Sequence, residues 1–171
     1  AALPGLEDHG CSHGCKGGFI RRLREDGGTW MAHIWEHVTL ELQNVAGSDV
    51  SFGRTRTEGD LGVYRMVFEY QQRDVGLESA LLARELLLSL LPESLQAQIE
   101  TKVDEKFYFE EENIKFIRFA QSKEFGPSTA SLVKAATDRG IPHLRMNDNS
   151  LVQFGHGKFQ KRIQATITSE T

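Results

Sequence analysis

The sequence predicts an α/β fold, a small mixed sheet covered by helices. Three observations predict it. Residues 29–44, TWMAHIWEHVTLELQN, carry apolar positions three or four apart, the period of one helical face. Residues 48–70 read as two strands and a turn, with side chains alternating between two faces. At Gly126-Pro127 the composition shifts, and one helical pattern gives way to short strand patterns. The expected division is a domain over 1–124 and a second segment over 125–171.

A chain of 171 residues suffices for one compact domain, or a small domain and a piece of another. Its 39% hydrophobic and 26% charged residues belong to a globular chain, not a disordered one. The net charge of −4 gives no bulk attraction to nucleic acid. No apolar run approaches the roughly 18 residues of a membrane span. The first residues hold no basic segment followed by an apolar one, so no secretory leader is expected. Cys11 and Cys15 do not make a disulfide framework, and a reducing cytoplasm is the expected compartment.

Residues 1–18, rich in Gly, His and Cys, read as a loop. GGFIRRLRE reads as a short helix or strand end, closed by DGG. In the helix that follows, Thr29 reads as the N-cap and Gly47 as the stop. Its apolar face is Ile34, Val38, Leu42 and Val45. In the second strand Tyr64, Met66, Phe68 and Tyr70 share one face. A second long helix opens at Asp74 and ends before Pro92. Residues 93–121 read as one or two more helices, with EEEN at 110–113 as a solvated face. STASLVKAATDRG is a capped helix, and IPHLRMN, SLVQFGHG and KRIQATIT are short strands.

The chemistry centres on His33-x-x-Glu36-His37. At about 100° per residue, His37 lies about 40° and Glu36 about 300° from His33. Both imidazoles can therefore reach one ion, with the carboxylate beside it. Two neutral imidazoles suit Zn²⁺. A carboxylate near activated water can act as general base, which makes Glu36 the candidate catalytic residue. This is the H-x-x-E-H arrangement of the inverzincins. Two histidines four apart also occur as the flanks of an ordinary packed helix.

A catalytic zinc takes three protein ligands. Glu41 shares the helical face but lies about 12 Å along the axis from His33. Glu78, at the start of the second long helix, is the favoured third ligand, then Glu69 at the strand end. Either also reads as a solvated carboxylate. A second metal-like cluster, His9, Cys11, His13 and Cys15, sits in one tight loop with no second pair following. Arg54 and Arg56 can hold a carboxylate bidentately, though arginines so placed more often form surface pairs.

The segments LPGLEDHGCS, EHVTLELQNVAG, FGRTR and KRIQATITSET, in this order and spacing, resemble the cyanophycin synthetase family. The resemblance runs over nearly the whole chain and is weakest over 93–121. It implies the N-terminal domain of a cytoplasmic bacterial enzyme, followed from residue 125 by the beginning of an ATP-grasp domain. Such an enzyme builds cyanophycin, a poly-aspartate backbone bearing arginine on each side chain. An ATP-grasp domain adds aspartate and a Mur-ligase-like domain adds arginine, using ATP and Mg²⁺ in the full-length parent. The implied partners are the polymer, the rest of the same polypeptide and further copies of the parent enzyme. The family also implies a metallopeptidase-like site in this domain that trims cyanophycin into primers, and His33, Glu36 and His37 match its motif. No P-loop motif is present, and the sequence stops soon after the ATP-grasp entry, so a fragment unable to synthesise polymer is expected. The competing expectation is a non-catalytic domain that docks the polymer and scaffolds the oligomer.

Overall fold

The computed structural model describes residues 3–11, 14–101, 106–164 and 167–168. They fall into two compact units, Ala1–Gln121 and Ser122–Thr171.

The first unit is built on one central helix. Helix α1 covers Gly18–Glu25 and α2 covers Met31–Val45. Every residue of α2 from Glu36 to Gln43 is buried. Val38 and Leu42 enter the main core with Val75, Leu82, Ala83, Phe116 and Ala120, and Ile34 packs against it. Burying each such aliphatic side chain contributes about 1.5–3 kcal/mol. The helix ends in a Schellman turn. Ser48 N–H donates to Gln43 O at 2.9 Å, Gly47 N–H donates to Asn44 O at 3.0 Å, and Gly47 takes φ 104°. Asn44 then clasps Val50, accepting from its N–H and donating to its carbonyl, both at 2.9 Å. The N-cap is Trp30 rather than Thr29, whose hydroxyl is engaged with His33 instead.

Strands β1, Gly53–Thr57, and β2, Tyr64–Phe68, form an antiparallel hairpin beside α2. Tyr64, Met66 and Phe68 are the half-buried positions of β2, and Tyr70 lies exposed beyond its end. Helix α3, Arg73–Ser89, packs along α2; Trp35 Nε1 donates to Ala80 O at 2.7 Å. The cap of α3 is Gln72 rather than Asp74, with Gln72 Oε1 accepting from Asp74 N–H at 3.1 Å. Helix α4 is Glu93–Gln96 and α5 is Phe109–Lys123, with Glu110–Glu112 in its first turn.

The second unit carries α6, Pro127–Thr137, with Pro127 at its first helical position. Strands β3, His143–Arg145, β4, Leu151–Phe154, β5, Lys161–Gln164, and β6, Ile167–Thr168, follow as an antiparallel meander. The expected mixed sheet is thus two separate antiparallel sheets, one of two strands and one of four. The connections explain it. Two to six residues separate consecutive strands within each sheet, too few for the crossover that a parallel pair needs.

Candidate metal centre

One turn of α2 carries His33 and His37, and their Nε2 atoms face each other at 3.2 Å. The loop before α1 adds Cys11, whose Sγ lies 3.6 Å from His33 Nε2. The three ligand atoms lie within 4.8 Å of one another and could hold one metal ion. Two neutral rings turning these nitrogens together can share only one proton between them, whereas a cation accepts both lone pairs and the sulfur's.

Neighbours fix each ring. Thr29 Oγ1 lies 2.8 Å from His33 Nδ1. Phe19, 1% exposed, stacks on His37 at 3.9 Å between centroids and meets the edge of His33 at 5.9 Å. Burial above all, then His33, His9 and the Arg22 guanidinium, push His37 down to about 3. Burial and then Arg22 lower His33. Both rings are neutral at neutral pH, the form that ligates metal.

Glu36 is 2% exposed and turned towards β1. Thr55 donates its hydroxyl to Oε2 at 2.5 Å. A side chain at Gly53 would overlap the carboxylate, so β1 passes here with a glycine. Burial raises the pKa of Glu36, and the Thr55 hydrogen bond opposes part of that rise.

Glu41 is also buried, but it stands outside the convergent group. Its Oε1 accepts Gly5 N–H at 2.7 Å, and its Oε2 lies 3.1 Å from His9 Nε2. The other nitrogen of His9, Nδ1, is 3.1 Å from His37 Nδ1.

The remaining sequence candidates lie elsewhere. Glu69 is exposed and accepts the backbone N–H groups of Ser51 and Phe52, both at 3.0 Å, which lower its pKa. Glu78 is exposed on α3 and outside the convergent group. Arg54 and Arg56 line a shallow depression on the outer hairpin face with Phe52, Arg65 and Val67. Cys15 is exposed, and His13 lies outside the described residues.

Sequence reasoning treated the His/Cys loop and the helix as two separate clusters, and the structure joins them. The available signal was His9-x-Cys11 shortly before α1, but spacing does not say which face of a later helix a loop will meet. Phe19 decides it: its N–H donates to His9 O at 3.2 Å while its ring packs on His37. Thr29, Gly53 and Thr55 were equally out of reach, because each acts through a tertiary contact.

A family model described as the cyanophycin synthase-like N-terminal domain matches residues 1–92. The cyanophycin synthetases of Trichormus variabilis and of a Nostoc species are each 41% identical over 171 residues, covering 99% of this chain. That of Geminocystis herdmanii is 38% identical over 169 residues. The chain spans 18% of the length of these relatives. It belongs to the family of cyanophycin synthase-like N-terminal domains.

Proposed function

We propose that this chain is the N-terminal part of a cyanophycin synthetase and that it carries a zinc-dependent peptidase-like site that trims cyanophycin into primers. The observation that carries this reading is the convergence of Cys11, His33 and His37 on the helix that also buries Glu36. Tetrahedral zinc has bonds of about 2.0–2.1 Å to nitrogen and about 2.3 Å to sulfur, so its edges are about 3.3 Å N···N and about 3.5 Å N···S. Here the His33–His37 and His33–Cys11 distances are 3.2 and 3.6 Å, and all three ligand atoms lie within 4.8 Å of one another. The donor set therefore suits zinc and leaves the fourth position of a catalytic site open. Cys11 takes the third place for which Glu78 was the sequence expectation.

When bound, zinc supplies Lewis acidity that polarises a carbonyl and eases proton loss from water near neutral pH. The chain's own groups do the rest. Thr55 holds Oε2 of Glu36, and the other carboxylate oxygen takes the proton of the attacking water and returns it to the leaving amine. The raised pKa of Glu36 brings it closer to a working base near neutrality. Phe19 keeps bulk water from the imidazoles.

Residues 125–171 are proposed to open the ATP-grasp domain of a cytoplasmic parent ligase that uses ATP and Mg²⁺ and assembles with further copies of itself. A second reading, a polymer-docking and scaffolding domain, is favoured by the outer hairpin face. There Arg54 and Arg56 make no ion pair among the described residues and suit the carboxylates of the polymer.

The experiment follows release of short fragments from soluble cyanophycin, and the dependence of the parent enzyme on added primer. Chelation should stop cleavage and zinc should restore it. A metal-free parent that starts polymer without primer at the wild-type lag would leave the docking reading standing.

A further inference from the structure

We propose that His9 and Glu41 form a buried positioning relay for His37, fixing which of its nitrogens faces the metal. The proposal rests on the metal reading above and adds residues to it. Neither residue belongs to the convergent group of Cys11, His33 and His37.

With neutral rings and an ionised Glu41, a single assignment of protons satisfies every contact. If His37 turns the Nε2 lone pair to the metal, its proton sits on Nδ1. That N–H donates to His9 Nδ1 at 3.1 Å. His9 must then carry its own proton on Nε2, which donates to Glu41 Oε2 at 3.1 Å. Glu41 has two oxygens to satisfy, and Oε1 accepts Gly5 N–H at 2.7 Å. Donation thus runs outward from the His37 ring through His9 to the Glu41 carboxylate, which also accepts Gly5 N–H, without an unfilled step. Reversing any ring would set two donors or two acceptors against each other.

The relay is built rather than incidental. Glu41 is 4% exposed, and a carboxylate so placed needs full hydrogen bonding. A side chain at Gly5 would overlap that carboxylate, so the short helical turn at Pro4–Glu7 closes over it with a glycine. His9 is tied at its carbonyl by Phe19 N–H, whose ring stacks on His37. A carboxylate behind a histidine raises the basicity of the nitrogen it faces through the ring, and outer partners of this kind set ligand orientation.

The test uses zinc affinity by chelator competition and the visible absorption of the cobalt(II)-loaded protein. The variants are His9→Phe, His9→Asn and Glu41→Gln. Wild type should bind one zinc. His9→Phe keeps an aromatic ring but no acceptor, and should bind zinc about 10- to 100-fold more weakly. Its cobalt spectrum should keep the wild-type tetrahedral and thiolate bands, because no ligand has been removed. His9→Asn places an acceptor oxygen near the position of Nδ1 and should recover much of the affinity. Glu41→Gln still accepts Gly5 N–H but lacks the charge, and should show a smaller loss. Should His9→Phe fail to fold, His9→Asn and Glu41→Gln carry the test, with the cobalt bands as control.

Wild-type affinity in both His9→Phe and Glu41→Gln overturns the relay and leaves the metal reading intact. A changed cobalt spectrum in His9→Phe makes His9 a ligand, which also overturns it. No recovery in His9→Asn reduces His9 to a space-filling role. A wild-type protein that binds no zinc sinks the metal reading itself.

Discussion

The inside of α2 and the outside of the β1–β2 hairpin handle charge in opposite ways. On α2 five polar or charged residues, Glu36, His37, Thr39, Glu41 and Gln43, are buried. The contacts already described hold both carboxylates and His37, while Thr39 donates to Trp35 O at 2.8 Å and Gln43 to Glu69 O at 3.1 Å. On the hairpin's outer face Arg56 stands opposite Arg65, with Arg54 beside them, all exposed. Like charges opposite each other weaken a strand pair, and among the described residues only Arg65 has an ion-pair partner there, Glu58. A buried polar group costs free energy unless its partners are in place, which ties the polar side chains of α2 to fixed neighbours. Solvated arginines with no ion pair among the described residues attract anions at a distance. The peptidase reading rests on the first region and the docking reading on the second.

The comparison breaks most sharply at the ligands. His33→Ala should abolish both zinc binding and fragment release, because the two remaining donors do not hold the ion. Zinc content per chain, measured on protein purified without an affinity tag, checks it. If His33→Ala retains zinc and cleavage, α2 is not the centre. Next comes the proton. Glu36→Gln keeps size and can still accept from Thr55 but has no base, so it should keep its zinc and lose cleavage by about 10²-fold or more. In the parent enzyme the same substitution should lengthen the lag before primer-free synthesis.

Much of the first region is legible in the sequence alone. The apolar spacing of Ile34, Val38 and Leu42 and the glycine at 47 bound an unbroken helix, because both depend on local backbone geometry. That helix brings His33 and His37 to a common side, as the four-residue spacing requires. The place of Cys11 in the convergent group was not legible. Glu78 satisfied the chemistry on paper, but the direction of a side chain on a second helix is set by packing, and Glu78 is exposed and outside that group. The caps failed for a related reason: Thr29 had the right chemistry for an N-cap, but a histidine nitrogen took its hydroxyl.

Acidity should separate buried rings from exposed charges in the metal-free protein. His37 has a folded pKa of about 3 against an ordinary 6.5. Between those values the unfolded chain holds a proton that the folded chain does not, so stability rises with pH across that window. The slope from one such group is at most about 1.4 kcal/mol per pH unit. His33 is lowered as well and adds the same sign below 6.5. Glu36 opposes them: its pKa is raised above 4.5, so just above that pH the folded chain holds the extra proton and stability falls as pH rises. Urea unfolding from pH 4.5 to 6.5 should therefore show a net rise, reduced in His37→Phe. An identical slope in wild type and His37→Phe would mean that water reaches these rings in solution.

The smallest expected effect lies on the hairpin and tests whether docking is auxiliary or primary. Arg54→Gln with Arg56→Gln removes two solvated charges that touch nothing in the core. Exposed pairs with a carboxylate contribute about 0.2–1 kcal/mol each, so losing both should weaken binding of soluble cyanophycin by about 2- to 30-fold. The loss should shrink as salt rises from about 0.05 to 0.2 M, because screening shortens the reach of exposed charges while leaving the buried centre untouched. Zinc content and the pH profile should not move. If the double variant instead delays primer-free synthesis as severely as Glu36→Gln, the arginine face governs function and α2 serves it as a scaffold. If binding is unchanged at low salt, the polymer is held elsewhere, and the hairpin's like charges await another anion.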